Sequence, residues 1–193
     1  MPRTKQFNEE EVLKKAMELF WEKGFHATSI QDLVSHLGIN RASLYDTFGG
    51  KDILFDKAFA HYRKGATDWL NGIFESAETV KGGFQKLFDS AIKESVEDEC
   101  RRGCFVVNTT TELVPGDEDL LKVLSENKSN LESLFLLQIQ KGIDSGEFAS
   151  SMDAKGVASM IFTFYNGLRV VAKVDPNPIE LRKMVEAALS VLH

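Results

Sequence analysis

The sequence predicts an all-α protein in which a small helix-turn-helix head precedes a larger helical body, with about nine helices in total. Two observations carry this fold class. Apolar residues recur at i, i+3, i+4 and i+7 along almost the whole chain, which is the spacing of one helical face. Turn signals at 115–116, 145–146 and 175–178 divide that pattern into segments. Strand signals are weak, and the apolar run 104–107 is short.

The first predicted helix begins at its cap Asn8, runs to Lys23 and ends at Gly24. One apolar stripe of this helix supplies a core for the helices that follow, and consists of Val12, Ala16, Leu19 and Phe20. The polar arm before it, residues 2–6, carries two cations. It is interpreted either as a frayed terminus or as an arm that contacts a nucleic acid.

Residues 28–48 predict two short helices joined by a tight turn. The apolar face of the first helix consists of Ile30, Leu33, Val34 and Leu37. Gly38 ends this helix, because glycine tolerates the left-handed conformation of such a stop. Asn40 caps a second, more polar helix over 41–47. This is the arrangement of a helix-turn-helix, whose second helix enters the major groove of DNA.

The composition is that of an ordinary globular protein, with 43% hydrophobic and 27% charged residues. No run of eighteen apolar residues occurs, and the polar N-terminus lacks the apolar segment of a signal peptide. The two cysteines, Cys100 and Cys104, are too few for a disulfide scaffold. We therefore expect a soluble, cytoplasmic protein that has no membrane partner.

The net charge of −6 argues mildly against binding of nucleic acid by the whole chain. Residues 1–52 carry a net charge of −1 and the remaining residues −5. Any phosphate binding by the head must therefore come from local placement. Helix N-termini provide this, because their free N–H groups and dipole bind anions without net basicity.

After two glycines, a long helix is predicted from residue 51 to about residue 76. The later helices are expected at roughly 80–98, 103–113, 117–143, 153–173 and 177–192. The last two helices have broad apolar faces, formed by Val157, Met160, Ile161, Phe164 and Leu168 and by Leu181, Met184, Val185, Ala188 and Leu189. These faces form either the core of the chain itself or half of an intermolecular four-helix bundle.

More than a dozen residues in order resemble the opening of TetR-type transcriptional regulators. They are Ala16, Leu19-Phe20, Lys23-Gly24-Phe25, Thr28-Ser29-Ile30, Leu33, Gly38-Ile39, Ser43-Leu44-Tyr45, Phe48, Lys51-Asp52 and Leu54. Residues 102–109 and 166–170 are similar to a subgroup of these regulators. Two departures from the common pattern, Ala42 and Thr47, leave the operator sequence open.

The resemblance implies a DNA-binding domain at 1–50 and an effector-binding and dimerisation domain at 51–193. Candidate DNA contacts are Thr28, Ser29, Asn40, Arg41, Ala42, Ser43, Tyr45, Thr47 and Lys51. Side chains at the start of the second helix are placed to read bases, and Arg41 can bind guanine or a phosphate. One short helix reads few base pairs, so two heads of a dimer, roughly 34 Å or a multiple apart, are expected to read a palindrome.

The implied function is a ligand-responsive regulator, a repressor released from its operator by a partly apolar small molecule. Candidate cavity residues are Trp69, Phe84, Phe88, Phe105, Asn108, Thr109, Phe135 and Tyr165. Each of these could equally be an ordinary core residue. Such a molecule can release DNA only if it binds the two states of the protein with different affinity.

Two alternatives stay open. Cys100 and Cys104 lie beside arginines, which raise thiol reactivity, so the same regulator could sense oxidants or electrophiles. A helical protein-binding adaptor without DNA function would also suit the acidic helical body. An enzyme is not expected, because the sequence has no phosphate loop, nucleophile elbow or His-Glu metal motif. No cofactor, metal ligand or catalytic residue is predicted.

Overall fold

The computed structural model describes residues 7–114 and 116–192, and these ranges contain nine α-helices and no strand. The all-α prediction is confirmed. The helices are α1 (Glu9–Lys23), α2 (Ile30–Leu37), α3 (Arg41–Phe48), α4 (Lys51–Glu75), α5 (Val80–Glu97), α6 (Phe105–Leu113), α7 (Glu118–Asp144), α8 (Ala154–Val174) and α9 (Pro178–Leu189). The N-terminal arm over residues 2–6, and the predicted turn residue Pro115, lie outside the described residues.

The predicted boundaries differ from these by at most three residues. The largest difference is at the end of α9, which stops at Leu189 because the chain turns at 190–191. Helix α4 is unbroken over 25 residues although it contains Gly65 and Gly72. The short apolar run 104–107 is helical from Phe105 onward, since it continues into the face that α6 buries.

Local caps delimit the three helices of the head. The Asn8 side chain accepts the N–H of Glu10 at 2.9 Å, which confirms Asn8 as the cap of α1. Ser29 forms a reciprocal capping box with Asp32, in which each side chain accepts the other residue's N–H. Helices α2 and α3 both end at glycines with left-handed φ angles of 67° and 82°.

The buried side chains form two apolar clusters. The head cluster joins α1, α2 and α3 to the first half of α4, and includes residues of α6 and α7. The body cluster joins the end of α4 to α5, α7, α8 and α9. Phe105, from the body helix α6, belongs to the head cluster, with its ring 6.0 Å from that of Phe55, 5.4 Å from that of Phe59 and 5.5 Å from that of Tyr62. Head and body are thus packed together through aromatic rings.

None of the helices within 7–114 and 116–192 is both long and apolar enough to cross a bilayer.

Candidate nucleic-acid interface and cavity

Helix α3 buries one face and presents the other to solvent. Leu44 and Phe48 are almost fully buried in the head cluster. Around the rest of the helix the side chains are exposed or half-buried, and these are Arg41, Ala42, Ser43, Tyr45, Asp46 and Thr47. Asn40 is exposed at the start of the helix and accepts the N–H of Ser43 at 2.8 Å. The structure therefore brings the predicted base-reading residues together on one surface, called here the reading face.

Arg41 and Tyr45 lie one helical turn apart on this surface. The guanidinium carbon of Arg41 is 5.7 Å from the centre of the Tyr45 ring, within the range of a cation–π contact. The Tyr45 ring is itself 43% exposed. This pair places a cation and a hydroxyl where a DNA backbone or a base edge can reach them.

The start of α4 has no side-chain cap, because its first residue follows Gly50. The free first-turn N–H groups and the helix dipole favour a negative charge at this point. Lys51 is the first residue of this helix, and its ammonium lies 4.3 Å from the centre of the Phe25 ring. The predicted phosphate role of Lys51 is thus compatible with its surroundings.

The start of α2 is less open than the sequence predicted. Its N-terminus is occupied by the Asp32 carboxylate, which bonds to Ser29 and to the ammonium of Lys23. Hydrogen bonds from Ser29 and then from Lys23 hold the pKa of Asp32 well below its usual range. The Thr28 side chain is fully buried and donates to the Gly24 carbonyl at 2.6 Å, so it cannot reach a phosphate from the surface. The structure corrects the Thr28 prediction to a structural role.

A cavity of about 510 Å³ lies between α4, α6, α7 and α8. Trp69 and Tyr165, both predicted, line it. Apolar lining that the sequence did not predict comes from Ala66, Leu70, Val106, Val107, Leu121, Leu124, Leu131 and Phe162. The sequence could have indicated the lining from α6, because residues 106, 107, 110 and 111 share one face of this helix.

The other predicted cavity residues lie elsewhere. Three phenylalanines pack in the body cluster, away from the cavity, and these are Phe84, Phe88 and Phe135. Phe105 packs at the junction of head and body. The amide of Asn108 donates to the Arg102 carbonyl at 2.7 Å, and Thr109 is buried on the far side of α6. Helical spacing marked these side chains as buried, but it could not tell which of them border a void.

The polar groups of the lining are largely satisfied by their own helices. Four threonine hydroxyls donate to a backbone carbonyl four residues earlier at 2.8–3.1 Å, and these are Thr67, Thr110, Thr111 and Thr163. They therefore offer methyl groups and lone pairs to the cavity. The charged side chains among the described lining residues are Arg63 and Lys128, both cationic. The Nε of Arg63 is buried without a hydrogen-bond partner in the described part of the chain.

A buried polar cluster borders the cavity on the α8 side. The guanidinium of Arg169 donates to the Tyr165 oxygen at 3.1 Å and to the Glu94 carboxylate at 3.0 Å. Burial, partly opposed by Arg169, raises the pKa of Tyr165 to about 12. The Cys104 sulfur lies 4.0 Å from the Tyr62 oxygen and also lines the cavity, whereas Cys100 is exposed on the preceding loop. The two cysteines therefore have different environments.

The apolar faces of α8 and α9 divide into two sets. Five predicted dimerisation residues pack into the chain's own core, and these are Ile161, Leu168, Leu181, Val185 and Leu189. The remaining five are exposed or half-buried, and these are Val157, Met160, Phe164, Met184 and Ala188. Further exposed apolar side chains on the two helices, or just after α9, are Val170, Val171, Val174, Ile179 and Val191. The exposed apolar surface of these helices is called here the α8–α9 face.

Family models match two parts of the chain. Residues 12–58 match the model described as bacterial regulatory proteins, tetR family. Residues 84–188 match the tetracyclin repressor-like C-terminal domain. The first match covers most of the head with the reading face. The second covers α6, α7 and α8, which line the cavity together with α4.

Full-length relatives agree with these matches. The chain is 33% identical over 193 residues to the uncharacterized HTH-type transcriptional regulator YezE of Bacillus subtilis strain 168, covering 100% of both chains. It is 27% identical to the HTH-type transcriptional repressor ComR of Escherichia coli K12, covering 98% of this chain and 90% of ComR. A cysteine-substituted form of the regulator CifR, solved with 26-base-pair operator DNA, is 29% identical, with a TM-score of 0.89 over 99% of this chain and 100% of CifR.

Proposed function

This chain belongs to the tetR family of bacterial regulatory proteins, and from this premise we propose that it represses transcription as an operator-bound homodimer released by a small molecule. Its relatives are DNA-binding transcriptional regulators, so the chain is a regulator and not an enzyme or an adaptor. One observation carries the operator proposal: the exposed polar face of α3 belongs to a fold that CifR uses while bound to operator DNA.

The reading face suits the chemistry of a major groove. Arg41 can donate two hydrogen bonds to guanine, and the methyl group of Ala42 can contact that of thymine. Asn40 and Ser43 are placed to read neighbouring base edges. Tyr45, Thr47, Ser29 and the start of α4 with Lys51 are assigned to the phosphates, which position the head and supply salt-dependent affinity.

Dimerisation is supported by the α8–α9 face. Val174 is 77% exposed, and it belongs to a stripe on α8 that also includes Phe164, Gly167 and Val171. Such a continuous apolar surface is typical of an interface with another chain. A second copy of this chain fits it, because two antiparallel helix pairs form a four-helix bundle. The resulting two-fold axis would present two heads to a palindromic operator.

The cavity supports a mostly apolar effector that is neutral or anionic. Its size is in the range of small-molecule sites, and its threonines present methyl groups rather than donors. Arg63 and Lys128 would attract an anionic end and repel a cationic one. Such an effector would release DNA by binding the free conformation more tightly than the operator-bound one.

Operator binding is tested by fluorescence anisotropy with a labelled fragment from upstream of the protein's own gene. We expect saturable binding that weakens with salt and that is competed by the same fragment more strongly than by scrambled DNA. Equal competition by both fragments would contradict the operator proposal.

Dimerisation is tested by light scattering of Val171→Glu beside the control Leu137→Glu, which places the same charge on an exposed apolar site of α7. We expect the first variant to be monomeric and to bind DNA at least about tenfold more weakly, because one head loses its partner. The control should remain dimeric. A monomeric wild type at micromolar concentration would contradict the dimer.

The effector class is tested with three ten-carbon probes of equal length: decanoate, decanol and decylammonium. We expect the first two to raise the thermal unfolding temperature, since they bind the folded state, and the cation to do so least. Trp69→Ala should weaken the effect of both binding probes, because Trp69 lines the cavity. A preference for decylammonium, or no shift with any probe, would contradict this effector class.

A second mode of release is favoured by the position of Cys104. Its thiol lines the cavity, so an electrophile small enough to enter can reach it, whereas Cys100 lies outside. Alkylation with iodoacetamide should weaken DNA binding of the wild type and of Cys100→Ser, but not of Cys104→Ser. Unchanged affinity of fully alkylated wild-type protein would exclude this mode.

A further inference from the structure

Helix α6 has one face in the cavity and another against the head. The cavity face consists of Val106, Val107, Thr110 and Thr111. On the opposite side, Phe105 and Thr109 are both 2% exposed, and Phe105 packs within the head cluster. Glu112, which does not line the cavity, continues this second side toward the loop between α1 and α2. One helix of nine residues therefore touches both functional regions.

The Glu112 carboxylate binds two consecutive backbone N–H groups of that loop. Its Oε2 accepts the N–H of Phe25 at 3.0 Å and its Oε1 accepts the N–H of His26 at 2.7 Å. Gly24 leaves room for this approach, because a Cβ built there would lie 2.7 Å from Oε2. Its φ angle of 84° also favours glycine. We call this contact the Glu112 clamp.

The clamped loop is connected to the start of α2 and to the start of α4. The N–H of Thr28 donates to the Phe25 carbonyl at 3.2 Å, and its hydroxyl donates to the Gly24 carbonyl, so the loop leads rigidly into the start of α2. The Phe25 ring packs against Phe55, and the Lys51 ammonium lies over it. A displacement of the loop would therefore shift both α2 and the phosphate-binding start of α4.

We propose that Glu112 is the positioning residue through which occupancy of the cavity reaches the DNA-binding head. This inference rests on the proposed release by a cavity ligand. A molecule that displaces the cavity face of α6 draws the carboxylate away from the two N–H groups. The loop then loses two charge-assisted hydrogen bonds, and the reading face leaves the arrangement that fits the operator.

Glu147 provides a matched control within the same chain. Its carboxylate accepts the N–H groups of Val80 and Lys81, both at 2.8 Å, and so caps the start of α5. It has the same chemistry as the Glu112 clamp, but it lies within the body. A glutamine at either position keeps the size of the side chain while replacing one acceptor oxygen with a donor, which cannot pair with an N–H.

The test fills the cavity permanently, since the natural effector is unidentified. Ala66→Trp on α4 and Ser125→Trp on α7 each place an indole in it from a different helix. Operator affinity is measured for each filler in the wild-type, Glu112→Gln and Glu147→Gln backgrounds. We expect each filler to weaken DNA binding about fivefold or more in the wild type and in Glu147→Gln, and less than about twofold in Glu112→Gln.

The outcomes separate the two proposals. A filler effect that is equally large in Glu112→Gln overturns the inference and leaves release by a cavity ligand intact. Absence of a filler effect in every background, with folded proteins by circular dichroism, overturns release by a cavity ligand and the inference with it. If the filler effect is lost in Glu147→Gln as well, both carboxylates contribute only to general stability. That result also overturns the inference. Should Glu112→Gln not fold, Glu112→Asp shortens the side chain and is expected to lose the same coupling.

Discussion

The reading face lies on α3 and consists of exposed, mostly polar side chains, whereas the cavity lies between four helices and is lined mostly by apolar ones. The residues of the reading face come from one stretch, 40–47, positioned by the caps Asn40 and Gly49. The cavity collects residues from 62 to 166, positioned by the packing of whole helices. Substitutions on the reading face should therefore change binding alone, while those near the cavity change packing as well.

The largest expected effect is at Phe105, where α6 packs into the head cluster. Phe105→Ala removes a ring that is 2% exposed and packs against the rings of Phe55, Phe59 and Tyr62. We expect the free energy of unfolding to fall by about 3–5 kcal/mol, measured by urea denaturation. Trp69→Ala, which removes a partly exposed cavity residue, should cost clearly less. An equal cost at both positions would mean that the junction is no more tightly packed than the cavity wall.

The next effect is confined to the head. Arg41→Ala removes the exposed cation of the reading face and should weaken operator binding by about 1–3 kcal/mol, or roughly 5- to 150-fold. The thermal unfolding temperature and the binding of decanoate should stay unchanged, because Arg41 touches neither core nor cavity. Wild-type affinity in an anisotropy titration would remove Arg41 from the interface.

A smaller effect is expected at the start of α4. Lys51→Gln keeps the free N–H groups of the helix but removes the adjacent cation. The slope of log affinity against log salt concentration should fall in magnitude by about 1 for each head, because one phosphate contact is lost. An unchanged slope would show that Lys51 serves only to pack on Phe25.

The smallest effect concerns the pH dependence of the head. The pKa of Asp32 is lowered in the folded state by hydrogen bonds from Ser29 and Lys23, so its ionised form stabilises the fold. This contribution is complete above the usual pKa of 3.8 and is lost as the pH falls below it. The unfolding temperature of Asp32→Asn should lie slightly below that of the wild type at pH 6, with a narrower gap at pH 2.5. A gap of the same size at both pH values would rule out ionisation as the cause.

The head could be predicted in detail because its signals are local. Asn40 caps α3, Gly38 ends α2, and the alternation of Leu44 and Phe48 with polar residues sets the exposed side. Each of these depends on neighbours within a few residues. Thr28 is the exception, because its burial depends on how the loop after Gly24 folds back.

The helices of the body could be predicted from the sequence, but most of the residues that line its cavity could not. Phe84 and Phe135 have the same helical spacing as true lining residues, yet their rings fill the body cluster, 5.5 Å apart. Whether a buried face meets another side chain or a void depends on the packing of distant helices. The Glu112 clamp joins positions 87 and 86 residues apart, and no local pattern marks such a contact.

Helix α4 begins beside the reading face and ends among the residues of the body, without a break over 25 residues. At 1.5 Å per residue it is a rod of roughly 37 Å. A tilt of only about 5° at its body end would move its first residue by about 3 Å, more than the tolerance of a hydrogen bond to a phosphate. The unbroken helix therefore converts a small rotation at its body end into a larger displacement at its first residue. In the proposed dimer, small rearrangements at the cavity would therefore suffice to change the spacing of the two heads on DNA.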